Sequence, residues 1–334
     1  CDRLDRMPLS ARLASKRLGQ RLFGEVQTED ITFGRFQVIR AVGSGGMSSV
    51  YEAIDPKSNR RVALKIIPES TLDPADRHAF SKRLHREGKI LEELRHPHIA
   101  RLYEHGTAQG RYYLALEYIR GQTLRNWIRA GGYRWWNAVD IIIGVAGALH
   151  AAHVAGLVHR DIKPSNVMIE DGKEHAKLLD FGIAKTVAED LNHSNTSTNA
   201  STWIRTTPGV CLGTLAYMAP EVLHGATADA RSDIFSLSLT LYEAVCGVHP
   251  FNGVSPGEYM EALRRQNFHK PRLGHQAPPE LLHLCKQGLS LDRSRRYPSV
   301  DSLLERLRWI RTKISKNATL MRQDITGQFR THGH

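Results

Sequence analysis

The sequence predicts an α+β fold of two lobes. A small antiparallel β lobe with one main helix comes first, and a larger, mainly α-helical lobe follows. Three observations lead there. Strand-like runs broken by Gly, Pro and Asn turns fill the stretch from Phe33 to Tyr118. Long helical patterns take over after Gly121. The chain has 334 residues, 41% of them hydrophobic and 24% charged, which suits one large domain or two units with a well-buried core. That balance excludes a wholly disordered or collagen-like chain.

Residues 1–32 read as a leader or linker. Scattered leucines (Leu4, Leu9, Leu13) hint at a basic amphipathic membrane segment, but Asp2 and Asp5 weaken it. Strands are expected over Phe36 to Val42, Ser49 to Ile54, Arg61 to Ile67, Ala100 to His105 and Tyr112 to Tyr118. One helix, Ala75 to Leu94, interrupts them. Residues 33–118 form the first lobe, with a hinge near Glu117 to Gly121. Residues 119–314 form the second. Its helices run over Trp136 to Leu157, Ser232 to Cys246, Pro256 to Asn267, Pro279 to Gly288 and Ser299 to Ile314. Nine Ser/Thr residues between Ile183 and Gly213 mark a loop too polar to pack. Its N-x-S sequons, at Asn192, Asn195 and Asn199, read as chance composition. Residues 315–334 are a flexible tail.

The net charge is +12, with its densest basic stretch from Arg264 to Arg296. This reads as a solvated basic face, and neither nucleic acid nor a membrane surface is expected as a partner. Cys1, Cys211, Cys246 and Cys285 are widely spaced, which argues against a disulfide framework or a cysteine zinc site. No transmembrane run or secretory signal is visible, so a cytoplasmic location is expected; the start at Cys1 reads as a fragment or a processed chain. A continuation past residue 334 could change that location to membrane-anchored.

Three motifs carry chemistry. AVGSGGMSSVYEA, Ala41 to Ala53, puts glycines between two strands, where backbone N–H groups can approach phosphates. VALK, Val62 to Lys65, sets a lysine among apolar strand residues, and its charge needs an anion. Nucleotide phosphates would serve, as would Glu87. Glu87 shares a helix face with Ile90, Leu91 and Leu94. HRDIKPSN, His159 to Asn166, and LDFG, Leu179 to Gly182, flank a hairpin that brings Asn166 near Asp180. An amide oxygen and a carboxylate there make a hard site for Mg²⁺ bound to phosphates. Asp161 could accept a hydroxyl proton, and Lys163 could contact the transferred phosphoryl group.

These motifs, followed by APE at Ala219 to Glu221, stand in the order of the protein kinase signature. The chain resembles the eukaryotic-like (Hanks-type) Ser/Thr protein kinases of bacteria over about Phe36 to Ile314. The resemblance implies the protein-kinase-like fold. It implies transfer of the γ-phosphoryl group of ATP, with Mg²⁺ or Mn²⁺, to Ser/Thr hydroxyls of protein substrates. Lys65 would hold the α- and β-phosphates and pair with Glu87. Asp161 would orient the hydroxyl and accept its proton, and Asn166 and Asp180 would bind metal. Val42, Val50 and Ala63 would sandwich adenine, with Leu116 behind. Gly43, Ser44, Gly45 and Gly46 would cover the phosphates. Glu117 and Ile119 would offer backbone groups. Glu221 would pair with Arg296, and Asp233 would brace the HRD backbone. Leu91, Leu102, Phe181 and His159 would stack between the lobes.

Arg160, before Asp161, implies control by phosphate on the activation segment, 180–221. Thr206 and Thr207 are the candidate phosphosites, Ser194 to Thr202 the secondary ones, and a second copy of the chain is the partner for trans-autophosphorylation. Lys163 with Thr214 resembles the Ser/Thr-directed pattern. Ser48 stands where a third loop glycine is usual, and Arg293 where proline is frequent. Two alternatives stay open: a pseudokinase that binds ATP for signalling, and a small-molecule kinase on the same fold. His150 and His153 lack a third metal ligand, so packing or hydrogen bonding is expected of them. Core packing is expected of Trp135 and Trp136.

Overall fold

The computed structural model describes residues 9, 11, 31–44, 48–68, 77–173, 175–182, 215–251, 255–272 and 277–313. Six strands form the first sheet: β1 (Thr32–Phe33), β2 (Phe36–Ser44), β3 (Ser49–Asp55), β4 (Arg60–Pro68), β5 (Leu102–Ala108) and β6 (Arg111–Glu117). Their order is β1-β2-β3-β4-β6-β5, with every neighbouring pair antiparallel. Alternation along β4 buries Val62, Leu64 and Ile66 in a cluster with Phe33, Phe36 and Tyr51. Leu9 of the leader joins that cluster, so this residue is packed where a linker was expected. Ile67 lies on the opposite face of β4 and packs with Tyr112, Leu114 and helix α1 (Arg77–Glu93). The helix buries Phe80, Leu84, Gly88 and Leu91. That spacing is one helical face, and it seats α1 on the sheet.

The chain then crosses through β7 (Gly121–Thr123), α2 (Leu124–Ala130) and α3 (Trp135–Val154). Gly121 has φ +154°, and a Cβ there would sit 1.9 Å from the Ile169 carbonyl. Only glycine fits that approach. Strand β7 pairs with β8 (Val167–Glu170), and β8 with β9 (Ala176–Leu178), in a small antiparallel sheet. This is the hairpin expected between Asn166 and Asp180. Helices α4 (Pro220–Leu223), α5 (Ala230–Cys246), α6 (Pro256–Arg265) and α7 (Pro279–Gly288) follow. A last helix, α8, covers 300–313.

Among the described residues α3 alone is long and apolar enough to cross a membrane, and it is built into the core beside α5 and β9. Val300, Leu303, Leu304, Leu307 and Ile310 bury the expected stripe of α8. Arg311 joins it to α3 through both carboxylate oxygens of Asp140, each at 2.8 Å. Trp135 packs on the core, but Trp136 departs from expectation and is 37% exposed. Its ring meets Trp135 edge-on and lies under the Arg134 guanidinium. It occupies the outer side of the first helical turn, where the core cannot reach it.

Candidate active site

The segment 157–166 runs from the end of α3 to a single 3₁₀ turn, Pro164–Asn166. Its backbone is held by one buried carboxylate. Asp233, in the first turn of α5, accepts from the amides of His159 at 2.7 Å and Arg160 at 2.8 Å. A third partner, His153 Nε2, lies 2.8 Å away. The brace is needed because Arg160 has φ 65°, a left-handed conformation that an L side chain adopts at a cost of about 1–3 kcal/mol. His153 is thus a hydrogen-bonding residue, as expected, but its partner was not foreseen.

His159 is fully buried. Its Nδ1 accepts from the Asp161 amide at 3.2 Å, and its Nε2 lies 2.8 Å from the Leu179 carbonyl. Burial lowers its pKa, so the ring is neutral and donates through Nε2. Its ring packs on Phe181 at 4.7 Å. Leu91, Leu102 and Phe181 belong to one large buried cluster, so α1, β5 and the segment after β9 share a core.

Asp161 and Lys163 meet directly, with Nζ 2.9 Å from Oδ2. Asn166 donates through Nδ2 to both the carbonyl and Oδ2 of Asp161, at 2.8 and 2.9 Å. Its amide oxygen is therefore the pole turned away from Asp161. The Leu179 amide donates to the Asn166 carbonyl at 2.8 Å, which brings Asp180 beside it. Asp180 also has a left-handed φ, 51°. Gly182 donates to the His159 carbonyl, and a Cβ there would approach that oxygen to 2.9 Å. An amide oxygen and a carboxylate oxygen are hard donors, so this pair fits Mg²⁺ or Mn²⁺.

One expected pair is not formed. Lys65 Nζ lies 2.9 Å from Asp180 Oδ1, not on Glu87. Glu87 accepts from Arg83 Nε at 3.0 Å, one turn back on α1, and faces Arg160 Nη1 at 3.9 Å. Two guanidiniums hold the Glu87 carboxylate, and Asp180 takes the ammonium. Glu87 still points inward, with its side chain 13% exposed.

On the β lobe Ala63 stands opposite Leu116, and Val50 stands opposite Gly43 and Lys65. Val42 is 46% exposed, and Ile119 is buried just past the end of β6. The Glu117 side chain binds Lys177, a contact that sequence reasoning missed. Lys177, like Lys65, stands between buried apolar neighbours on its strand and needs an anion. Gly45, Gly46, Thr206, Thr207, Thr214 and the Ser194 to Thr202 stretch lie outside the described residues, as does the side chain of Ser44.

Glu221 and Arg296 form the expected pair, bidentate at 2.7 and 2.8 Å. Arg296 is fully buried and also donates to the carbonyls of Ser290 and Arg231. Ser232 Oγ donates to Glu221 at 2.8 Å. Burial pushes the Glu221 carboxyl up, but the Arg296 hydrogen bonds and charge outweigh it and hold the carboxyl below its usual range. Arg293 pairs with Asp229, the cap of α5, and lies 3.8 Å from Glu221. Arg265, Arg293, Arg295 and Arg296 of the basic stretch therefore all have carboxylate partners. Among the described residues no group of three His, Cys, Asp or Glu side chains could hold a metal, and Cys246 and Cys285 are buried free thiols.

The family model of the protein kinase domain matches residues 36–308. The chain belongs to the protein kinase family. Its relatives include the serine/threonine-protein kinase PknA of Mycobacterium tuberculosis, 35% identical over 80% of this chain and 59% of that protein. PrkC of Bacillus subtilis is 33% identical over 81% of this chain and 39% of that protein. A probable serine/threonine-protein kinase of Bifidobacterium longum is 34% identical over 67% of this chain and 28% of its own length. The chain thus spans about a quarter to three-fifths of these kinases. Among solved structures, the PknI kinase domain of M. tuberculosis aligns with TM-score 0.61 and 25% identity, over 85% of this chain and 99% of that one. A structure of Rad53 in complex with AMP-PNP aligns with TM-score 0.64 and 26% identity, over 81% of this chain and 64% of that one.

Proposed function

We propose that this chain is a serine/threonine protein kinase that transfers the γ-phosphoryl group of Mg·ATP to protein hydroxyls. The observation that carries it is the joined set Asp161–Lys163–Asn166 with Lys65–Asp180, held at two strained residues by Asp233 and the β8–β9 hairpin. When bound, a divalent ion would neutralise phosphate charge, and Asn166 and Asp180 would hold it. Lys65 binds phosphate oxygens. Asp161 orients the substrate hydroxyl and takes its proton, while Lys163 steadies Asp161 and meets the moving phosphoryl group. Val42, Val50, Ala63 and Leu116 enclose adenine, and Gly43 with its neighbours covers the phosphates. Positioning and charge supply most of such a reaction.

The pairing seen here places Lys65 on Asp180. In the working enzyme we assign Lys65 to Glu87, which needs Glu87 to leave Arg83 and Arg160. Arg160, already facing one carboxylate, is suited to receive a phosphate from the activation segment, with autophosphorylation by a second copy of the chain. We divide the kinase unit at 33–118 and 119–314. We place its chemistry in the cytoplasm, in keeping with an ATP requirement and free thiols. All five active-site side chains expected of an enzyme are present, which favours catalysis over ATP-dependent signalling alone.

The test is phosphate transfer from γ-labelled ATP to a generic basic protein, with phosphoamino-acid analysis. Label on Ser or Thr is expected. Label on Tyr only, or on aminoglycosides or choline but no protein, would overturn the reading.

A further inference from the structure

Strand β9 buries Ala176 and Leu178 and turns Lys177 to the other face. That face meets the end of β6. Lys177 Nζ lies 2.6 and 2.8 Å from the two carboxylate oxygens of Glu117, 60 residues back in the chain. The Lys177 side chain is 14% exposed. Arg101 frames the same carboxylate: its amide donates to Glu117 Oε2 at 3.2 Å, and its carbonyl accepts from the Glu117 amide at 2.8 Å. The segment before Arg101 is stitched to β9 as well. Leu178 donates to the His98 carbonyl at 2.8 Å, and Ala100 donates to the Leu178 carbonyl at 3.0 Å. No ionised partner of Lys177 other than Glu117 stands within ion-pair distance among the described residues.

Glu117 ends β6, the strand that carries Leu116, assigned above to adenine. Lys177 lies three residues before Asp180, assigned above to the metal. One ammonium therefore ties the end of β6 to the strand that leads to Asp180. A nucleotide must touch both at once, adenine at one end and phosphates at the other. We propose that Lys177 is a positioning residue for ATP. Through Glu117 it fixes the distance between the adenine-binding backbone and Asp180, so that one rigid ligand meets both. This rests on the kinase reading given above.

A clamp that sets this spacing leaves a signature that a mere brace would lack. Adenosine uses the junction alone, whereas Mg·ATP uses both ends. Loss of this charge-assisted hydrogen bond should cost roughly tenfold or more in affinity when the ligand spans the clamp. The experiment compares the parent with Lys177→Met, Lys177→Arg, Glu117→Gln and the Lys177→Met/Glu117→Gln double variant. Binding of Mg·ATP and of adenosine is measured by calorimetry, beside KM for ATP, kcat and the melting temperature.

Lys177→Met should raise KM and the Mg·ATP Kd roughly tenfold, leave kcat within about threefold and change adenosine affinity little. Lys177→Arg should restore Mg·ATP binding. The double variant should bind no worse than Lys177→Met, because both changes remove one contact. Equal loss for adenosine and Mg·ATP, or unchanged binding of both, would overturn the inference while leaving the kinase reading intact. A parent that binds no Mg·ATP would overturn both.

Discussion

Arg296 shows what a single buried charge commits a fold to. Its guanidinium has no exposure, and every donor direction used in the site ends on Glu221 or a carbonyl. Breaking such a pair from one side strands the other charge in a low-dielectric place. Arg296→Met should therefore destabilise the protein by about 3–5 kcal/mol, read by denaturant unfolding. The double variant Arg296→Met/Glu221→Leu should recover much of that; no recovery would mean the guanidinium matters for its packing over Phe235 instead. Gly121 is a second residue-scale test. Gly121→Ala meets the Ile169 carbonyl in a conformation unfavourable to any Cβ, and a loss of at least about 1–3 kcal/mol is expected. The pair Glu221–Arg296 was legible because each residue sits in a motif with a known order. Lys177–Glu117 and His153–Asp233 were not. Each joins residues far apart in sequence: the apolar neighbours of Lys177 call for an anion, but nothing local says which carboxylate supplies it, and nothing local marks His153 as the partner of Asp233.

At the scale of elements, strands and long helices were legible from periodicity. The expected Pro279 to Gly288 helix matches α7, and the strands differ from expectation by one to three residues at their ends. Short pieces were not. Helix α2 has seven residues, about two turns and too few for a period to repeat, and depends on the Thr123 cap and burial of Leu124 and Ile128. Strands β1 and β7, two and three residues long, exist only by pairing with neighbours. The junction between α1 and β5 carries His96 and His98, whose rings approach to 5.8 Å, and His98 stacks on His175 at 4.3 Å. Burial, then the neighbouring imidazoles, holds His96 below its ordinary value near 6.5. Burial and His98, then Lys177 and Lys173, outweigh Glu170 and do the same for His175. The unfolded chain thus binds protons more readily at these sites. Stability is full above pH 6.5 and should fall as pH drops below it. His175→Gln should flatten part of the decline between pH 7 and 5 in thermal melts; an unchanged slope would remove His175 from the account. Glu221, held below its usual value, adds a separate loss at lower pH, as its carboxylate is protonated.

At the scale of the molecule, the chain crosses once between the lobes, and separate polar links add to that crossing. Glu117 binds Lys177, Lys65 binds Asp180, and Asp233 and His159 hold the segment that reaches Leu179. A ligand that engages both lobes should stabilise them together. Mg·ATP at a hundred times its Kd is expected to add about 2.7 kcal/mol, seen as a rise in melting temperature. Lys65→Met should lose most of that rise. In the proposed reaction the substrate proton goes to Asp161. The most direct measurement is phosphate incorporation from γ-labelled Mg·ATP into the purified chain, beside Asp161→Asn, with the labelled residues mapped by mass spectrometry. Label on Ser or Thr of the parent, reduced at least about a hundredfold in Asp161→Asn, is the result expected for a general base. Equal labelling of the two proteins, or none in a parent that binds Mg·ATP and is given a basic protein substrate, would contradict it.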